Sequence, residues 1–187
     1  GFSFSVSWAL PELEMSDQEF NSDLQASHRA TLHMLCGKIA AGKSTLTAEL
    51  GRMPSTVVIS EDFWLSRLFG PEMKDVADYI RCSRRLREAV GPHVQDLLRL
   101  GVSVVLDFPA NTVAMRAWMR TLFEAAGADH RLHFLDVPDE VCKARLRARN
   151  AAGTHDFAAS DAEFEQISSY FVSPSETEGF NVILRSA

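Results

Sequence analysis

The sequence predicts an α/β domain: a five-stranded parallel sheet with helices on both faces. Three observations carry that prediction. Short apolar runs alternate five times with segments of helical period, and such alternation demands crossover connections and a parallel sheet. The first run, Thr31-Leu32-His33-Met34-Leu35-Cys36, opens directly into Gly37-Lys38-Ile39-Ala40-Ala41-Gly42-Lys43-Ser44, an ungapped match to G-x-x-x-x-G-K-[ST]. A helical segment, Ser44 to Leu50, follows at once. The motif therefore lies between a strand and a helix, where a loop that cradles phosphate must lie.

Composition narrows the class. A chain of 187 residues is long enough for one domain with its own core. With 46% hydrophobic and 24% charged residues it groups with globular proteins rather than disordered chains. The formal net charge of −6 disfavours broad nucleic-acid binding, although it leaves room for a local basic groove. Cys36, Cys82 and Cys142 are odd in number and at no metal-like spacing, the pattern of reduced thiols in a cytoplasmic protein. No stretch approaches the ~20 apolar residues of a membrane span. The first eight residues lack the basic region and apolar run of a signal peptide.

Residues 1–28 read as an N-terminal helical extension, with Ser16 and Glu19 as a capping box, and residues 29–187 as the domain proper. After the first strand, glycines let the backbone curl so that its N–H groups face an anion, and the next helix points its positive end the same way. Gly37, Lys38, Ala40, Ala41, Gly42, Lys43, Ser44 and Thr45 are the expected nucleotide-binding residues. Lys43 would reach the β- and γ-phosphates, and Ser44 would join the shell of a Mg²⁺ ion. Thr56-Val57-Val58-Ile59-Ser60 reads as a second buried strand. It runs into Glu61-Asp62, where open α/β sheets place their ligands, so Asp62 is either a general base or a helix cap.

Residues 63–73 form a short helix and a Gly70-Pro71 turn. Asp75 to Leu100 is helical, with Gly91-Pro92 as the expected break. Arg81, Arg84 and Arg85 share one face of it, with Arg87 nearby, and read as a solvated face rather than an anion site. Val102 to Asp107 is a third strand ending in an acid, the form of a carboxylate that holds a Mg²⁺-bound water. Phe108 to Thr112 opens the next helix. Its Met115, Trp118, Met119 and Leu122 form a core stripe, and Gly127 closes it. Arg131 to Val137 is the fourth strand, and Pro138 starts another helix. In that helix Arg145 and Arg149 share a side and Arg147 points elsewhere. With the loop Gly153 to Phe157, including His155, and a helix from Asp161 to Phe171, this is the pattern of a lid over about residues 145–160. Phe180 to Leu184 is the fifth strand.

Taken together, Gly37 to Thr45, Ser60-Glu61-Asp62, Asp107, Arg145 to Arg149 and the Phe180 strand resemble the small P-loop kinases. Within them the chain looks closest to the group of zeta toxins, chloramphenicol phosphotransferase and polynucleotide 5′-kinases. That resemblance covers roughly residues 30–185. It implies a sheet order of 2-3-1-4-5, ATP and Mg²⁺ as cofactors, Asp62 as base toward a substrate hydroxyl, and Arg145 and Arg149 as catalytic lid arginines beside Lys43. It implies an ATP-dependent phosphotransferase acting on a hydroxyl of a small molecule. The alternatives are a kinase of a nucleic-acid end or nucleotide-sugar, and a non-catalytic nucleotide switch. Asp107-Phe108-Pro109-Ala110-Asn111-Thr112 matches no substrate signature of the group, which leaves the acceptor open. No N-K-x-D sequence occurs, against a GTPase.

Overall fold

The computed structural model describes residues 29–153 and 159–186. The capping box at Ser16 and the loop residue His155 lie outside them. Five strands form one sheet in the order β2-β3-β1-β4-β5, all neighbours parallel. The strands are β1 (Thr31–Cys36), β2 (Thr56–Ser60), β3 (Ser103–Pro109), β4 (Asp129–Leu135) and β5 (Val182–Arg185). The helices are α1 (Lys43–Gly51), α2 (Glu61–Phe69), α3 (Val76–Arg99), α4 (Val113–Ala126), α5 (Asp139–Ala152) and α6 (Asp161–Ser168).

The period-2 alternation of side chains splits the core in two. Leu32, Met34 and Cys36 of β1 join Val104, Leu106 and Phe108 of β3 against α3 and α4. Leu35 and Val105 face the opposite way, under Leu46 and Leu50 of α1 and Cys142 and Leu146 of α5. The stripe foreseen on α4 is core: Met119 and Leu122 are buried, and Met115 and Trp118 pack against them. Gly127 ends that helix in the left-handed region, at φ 62°.

Three expectations need correction. Strand β2 is not buried. It is an edge strand paired only with β3 among the described residues, and Val57 and Val58 are 40% and 39% exposed. Helix α3 runs unbroken through Pro92. Pro92 lies on the solvent face, where water can serve the carbonyl it leaves unpaired, while Gly91 is buried against Leu122 and Trp118 of α4. Helix α6 stops at Ser168, short of Phe171, whose ring instead stacks on Phe134 at a centroid distance of 6.2 Å.

The face of α3 carrying Arg81, Arg84 and Arg85 is exposed, as expected. Arg81 pairs with Asp78 at 2.9 Å and Arg84 with Glu88 at 3.8 Å. Arg87 departs from that group: its Nη1 donates to the buried Ser83 hydroxyl at 2.9 Å.

Two buried polar units hold the sheet to what surrounds it. The Arg116 guanidinium is fully buried. It binds both oxygens of Glu178 (2.8 and 3.2 Å) and the carbonyls of Ala110 (2.9 Å) and Val172 (2.8 Å). On the other side, His33 Nδ1 and His133 Nε2 lie 3.0 Å apart, and Arg185 Nη2 is 3.3 Å from His133 Nδ1. A guanidinium can only donate, so His133 Nδ1 accepts, its Nε2–H donates to His33, and both rings are neutral. Burial, with the Arg131 and Arg185 charges, lowers each pKa to about 4.

Replacing Arg116 by alanine leaves Glu178 without its partner and should cost about 3–5 kcal/mol in denaturant unfolding. A loss below about 1 kcal/mol would mean that water serves Glu178 equally well. The histidine pair makes a pH prediction. Its folded pKa lies below the unfolded value of 6.5, so the unfolded chain binds more protons between pH 6.5 and about 4. The stabilisation is complete above 6.5 and drains away as pH falls through that window. Glu61 and Asp107, both with raised pKa, tilt the curve oppositely. The readout is therefore the wild-type slope minus that of the His33→Gln/His133→Gln variant. Equal slopes would exclude the pair as the source.

Candidate active site

The loop from Gly37 to Gly42 leaves the carboxyl end of the central strand β1. Two residues bend it with positive φ, Ala40 at 62° and Gly42 at 104°. An L side chain rarely takes the second value, which explains glycine there. A Cβ on Gly37 would come within 3.2 Å of the Leu135 Cβ, so this position is also tight. Helix α1 starts at Lys43 without a side-chain cap and without an acid in its first turn, leaving its positive end uncompensated. Ser44 and Thr45 lie in that first turn, both exposed.

The Lys43 ammonium folds over its own loop, donating to the Gly37 carbonyl and, at 2.8 Å, to that of Lys38. Burial pushes its pKa below the usual lysine range. The nearby Cys36 and Asp107 pull it back up, and Arg149 adds to the lowering. Lys38 contributes its backbone here, since its side chain turns away to Asp139 at 2.7 Å.

Asp107 lies beside Lys43, although β3 does not end there as expected. The strand continues to Pro109, and a register shift against β1 skips Asp107 and Phe108. A bulge of this kind re-aims a side chain next to a site. Burial raises the Asp107 pKa, and so does the charge of Asp62, against the opposing effects of Lys43 and the Ser60 hydroxyl. Asp62 itself is exposed in the first turn of α2, with Ser60 rather than Asp62 as the N-cap. Its neighbour Glu61 points inward and is only 3% exposed. The Tyr79 hydroxyl donates to Glu61 Oε1, and the Ser83 hydroxyl donates to Oε2 at 3.0 Å.

The arginines of α5 divide as their spacing foretold. Arg147 pairs with Asp161 on α6. Arg145 Nη1 reaches the carbonyls of Ala40 and Ala41 at 3.5 Å. Arg149 approaches Lys43, and its buried Nε has no hydrogen-bond partner among the described residues. A cation cluster with an orphaned buried N–H fits an anionic ligand. The carboxylate of Asp107 and hydroxyl of Ser44 are the hard oxygen donors that Mg²⁺ prefers.

One contributor escaped the sequence reading. Asn111 accepts from the Gly37 N–H and donates to the Gly37 carbonyl, each at 3.0 Å. It precedes the Thr112 N-cap of α4 and offers no local signal to separate it from an ordinary turn residue.

A family model described as an AAA domain matches residues 32–174, which spans the loop, both acids and the arginine helix. The chain belongs to this AAA_33 family. No curated protein matches the sequence. Among solved structures, a candidate kinase of Chloroflexus aurantiacus J-10-fl is 20% identical with a TM-score of 0.65, covering 85% of this chain and 86% of its own. The APS kinase CysC of Mycobacterium tuberculosis, solved with AMPPNP and APS, is 20% identical with a TM-score of 0.56, covering 85% and 89%. A sugar kinase from Janibacter sp. HTCC2649 is 13% identical with a TM-score of 0.57, covering 84% and 85%. At these identities the likeness is one of fold: this AAA_33 chain has the five-stranded P-loop kinase architecture.

Removing the half-buried cation tests the loop directly. Lys43→Ala should weaken ATP binding about 10- to 100-fold, the effect of losing a charge-assisted hydrogen bond, while the protein stays folded. Unchanged affinity by titration calorimetry would separate the loop from phosphate binding.

Proposed function

We propose that this AAA_33 protein is an ATP-dependent phosphotransferase that moves the terminal phosphoryl group to a hydroxyl of a small molecule. The observation that carries the reading is a juxtaposition at one end of the sheet. A half-buried lysine after the β1 loop, a half-buried acid in β3 and an exposed acid just past β2 stand together, with two arginines facing them from α5. A non-catalytic nucleotide switch needs the lysine but has no use for the exposed acid. The chain's net charge of −6 favours a small acceptor over a nucleic-acid end. The narrower kinship with zeta toxins and chloramphenicol phosphotransferase, and a cytoplasmic setting, belong to the same proposal.

In this reading the backbone of Gly37 to Thr45 and the Lys43 ammonium bind the phosphates. Ser44 and Asp107 hold Mg²⁺, which supplies neutralising charge to the phosphate oxygens when bound. Asp62, facing solvent beside Asp107, orients the acceptor hydroxyl and takes its proton as the oxygen attacks. Arg145 and Arg149 add positive charge where negative charge builds on the transferring group. Phosphoryl transfer asks for positioning and electrostatics rather than for a covalent intermediate, and these residues supply both.

A screen with labelled ATP against alcohol-bearing metabolites, antibiotics and oligonucleotides identifies the acceptor. With it in hand, Asp62→Asn should lower transfer by about 10²–10⁴-fold while ATP affinity changes little, since general-base assistance is worth that much. Transfer at the wild-type rate would reduce Asp62 to a surface residue of α2. Asp107→Asn should instead raise the Mg²⁺ concentration needed for half-maximal rate.

A further inference from the structure

The helix that carries Asp62 is held by few contacts. Of the nine residues of α2 only Glu61 and Leu65 are buried. The cap that opens the helix is weak, because the Ser60 hydroxyl accepts from the Phe63 N–H at 3.5 Å, longer than an ordinary hydrogen bond. The stronger tie at this end is Glu61. Its two oxygens accept from different residues of α3, Oε1 from the Tyr79 hydroxyl and Oε2 from the Ser83 hydroxyl at 3.0 Å. The second donor is itself directed. Arg87 Nη1 lies 2.9 Å from the Ser83 oxygen, and a guanidinium only donates, so Ser83 accepts there and turns its own proton to Glu61. Helix α3 is in turn anchored along its length by the buried Cys82, Leu86, Val90, Val94 and Leu98.

The tie matters for the residue beside it. Asp62 follows Glu61 in the same turn, is exposed, and stands near enough to Asp107 to raise its pKa. An exposed side chain at a helix start goes where its backbone goes, so whatever holds that turn sets where Asp62 stands. The tolerance is small: a catalytic group misplaced by ~1 Å can lose about 100-fold in rate.

We infer that Glu61 is a positioning residue: through Tyr79 and Ser83 it ties the first turn of α2 to α3, and thereby places Asp62 for the proton it takes from the acceptor. The inference rests on the role proposed for Asp62 above. Glu61 is buried with both oxygens engaged, so it acts through Asp62 and not on the substrate.

Transfer from labelled ATP to the acceptor that the screen returns, measured on the full chain, tests this role. Glu61→Ala should lower kcat about 10- to 100-fold, while ATP affinity by titration calorimetry stays within about twofold. Glu61→Gln keeps an oxygen for the Tyr79 hydroxyl and an amide for the Ser83 oxygen, so its rate should return to within about threefold of wild type. A rate as low as that of Glu61→Ala would assign the effect to charge rather than to the tie, and overturns the inference. In an Asp62→Asn background Glu61→Ala should cost less than about twofold, because no base remains to be placed. An equal loss in both backgrounds marks a general structural role and also overturns it, as does a wild-type rate in Glu61→Ala. A second readout needs no acceptor. Amide hydrogen exchange across α2 should speed in Glu61→Ala while exchange across α3 stays as in wild type. Unchanged exchange in α2 means that something else holds the turn, and the inference fails. If circular dichroism melting shows Glu61→Ala unfolded, Tyr79→Phe, which deletes one hydroxyl from a residue 39% exposed, enters the same cycle with the same coupling expected. A wild-type chain that phosphorylates no acceptor removes the proposed function along with the inference, whereas an active wild type with an uncoupled cycle removes the inference alone.

Discussion

An ammonium group cannot be taken out of water without oxygens to receive it, and the loop after β1 is arranged around that requirement for Lys43. Two carbonyls of its own loop and the nearby Asp107 meet its charge. Bringing those carbonyls round needs the left-handed turns at Ala40 and Gly42 and the close passage of Gly37 past Leu135. The compensation is incomplete. Arg149 stands close enough to oppose the lysine, and Arg145 reaches only carbonyl oxygens at the limit of hydrogen bonding. Three cations against one half-buried carboxylate make a region that seeks an anion.

The acid side of the site follows the opposite logic. Glu61 and Asp62 are adjacent in sequence but separate in environment. The first is buried and receives two hydroxyl hydrogen bonds, and the second faces water. Tyr79, Ser83 and Arg87 stand at intervals of four along α3, so a single helical stripe supplies the polar contacts that fix the first turn of α2. A carboxylate anchored this way sets where the next residue points. Burial raises the Glu61 pKa against the pull of those hydroxyls, which marks the anchor as costly in isolation.

Much of this was legible before any coordinates. The motif at Gly37 to Ser44 needs only local order, and all five strands announced themselves as apolar runs between turn residues. Helical spacing alone separated Arg147 from Arg145 and Arg149. What stayed hidden depended on distant partners. Val57 and Val58 look like core until the sheet order leaves β2 on an edge. Gly91-Pro92 reads as a break until α4 packs on the glycine side and leaves the proline to water. Asn111 and Arg116 could not be read at all, since their partners are 74 and 62 residues away.

The separation of Arg116 from its partners has a consequence for synthesis. Its guanidinium lies at the start of α4, but Val172 and Glu178 leave the ribosome 56 and 62 residues later. Until then β1, β3 and α4 can associate only around a buried charge with one carbonyl to satisfy it, a state that collapse alone does not favour. The nascent domain therefore becomes cooperative late, when the segment carrying Glu178 docks and the last charge is neutralised. A stalled or truncated chain ending before Val172 holds most of the hydrophobic core yet presents itself to chaperones and proteases as unfinished.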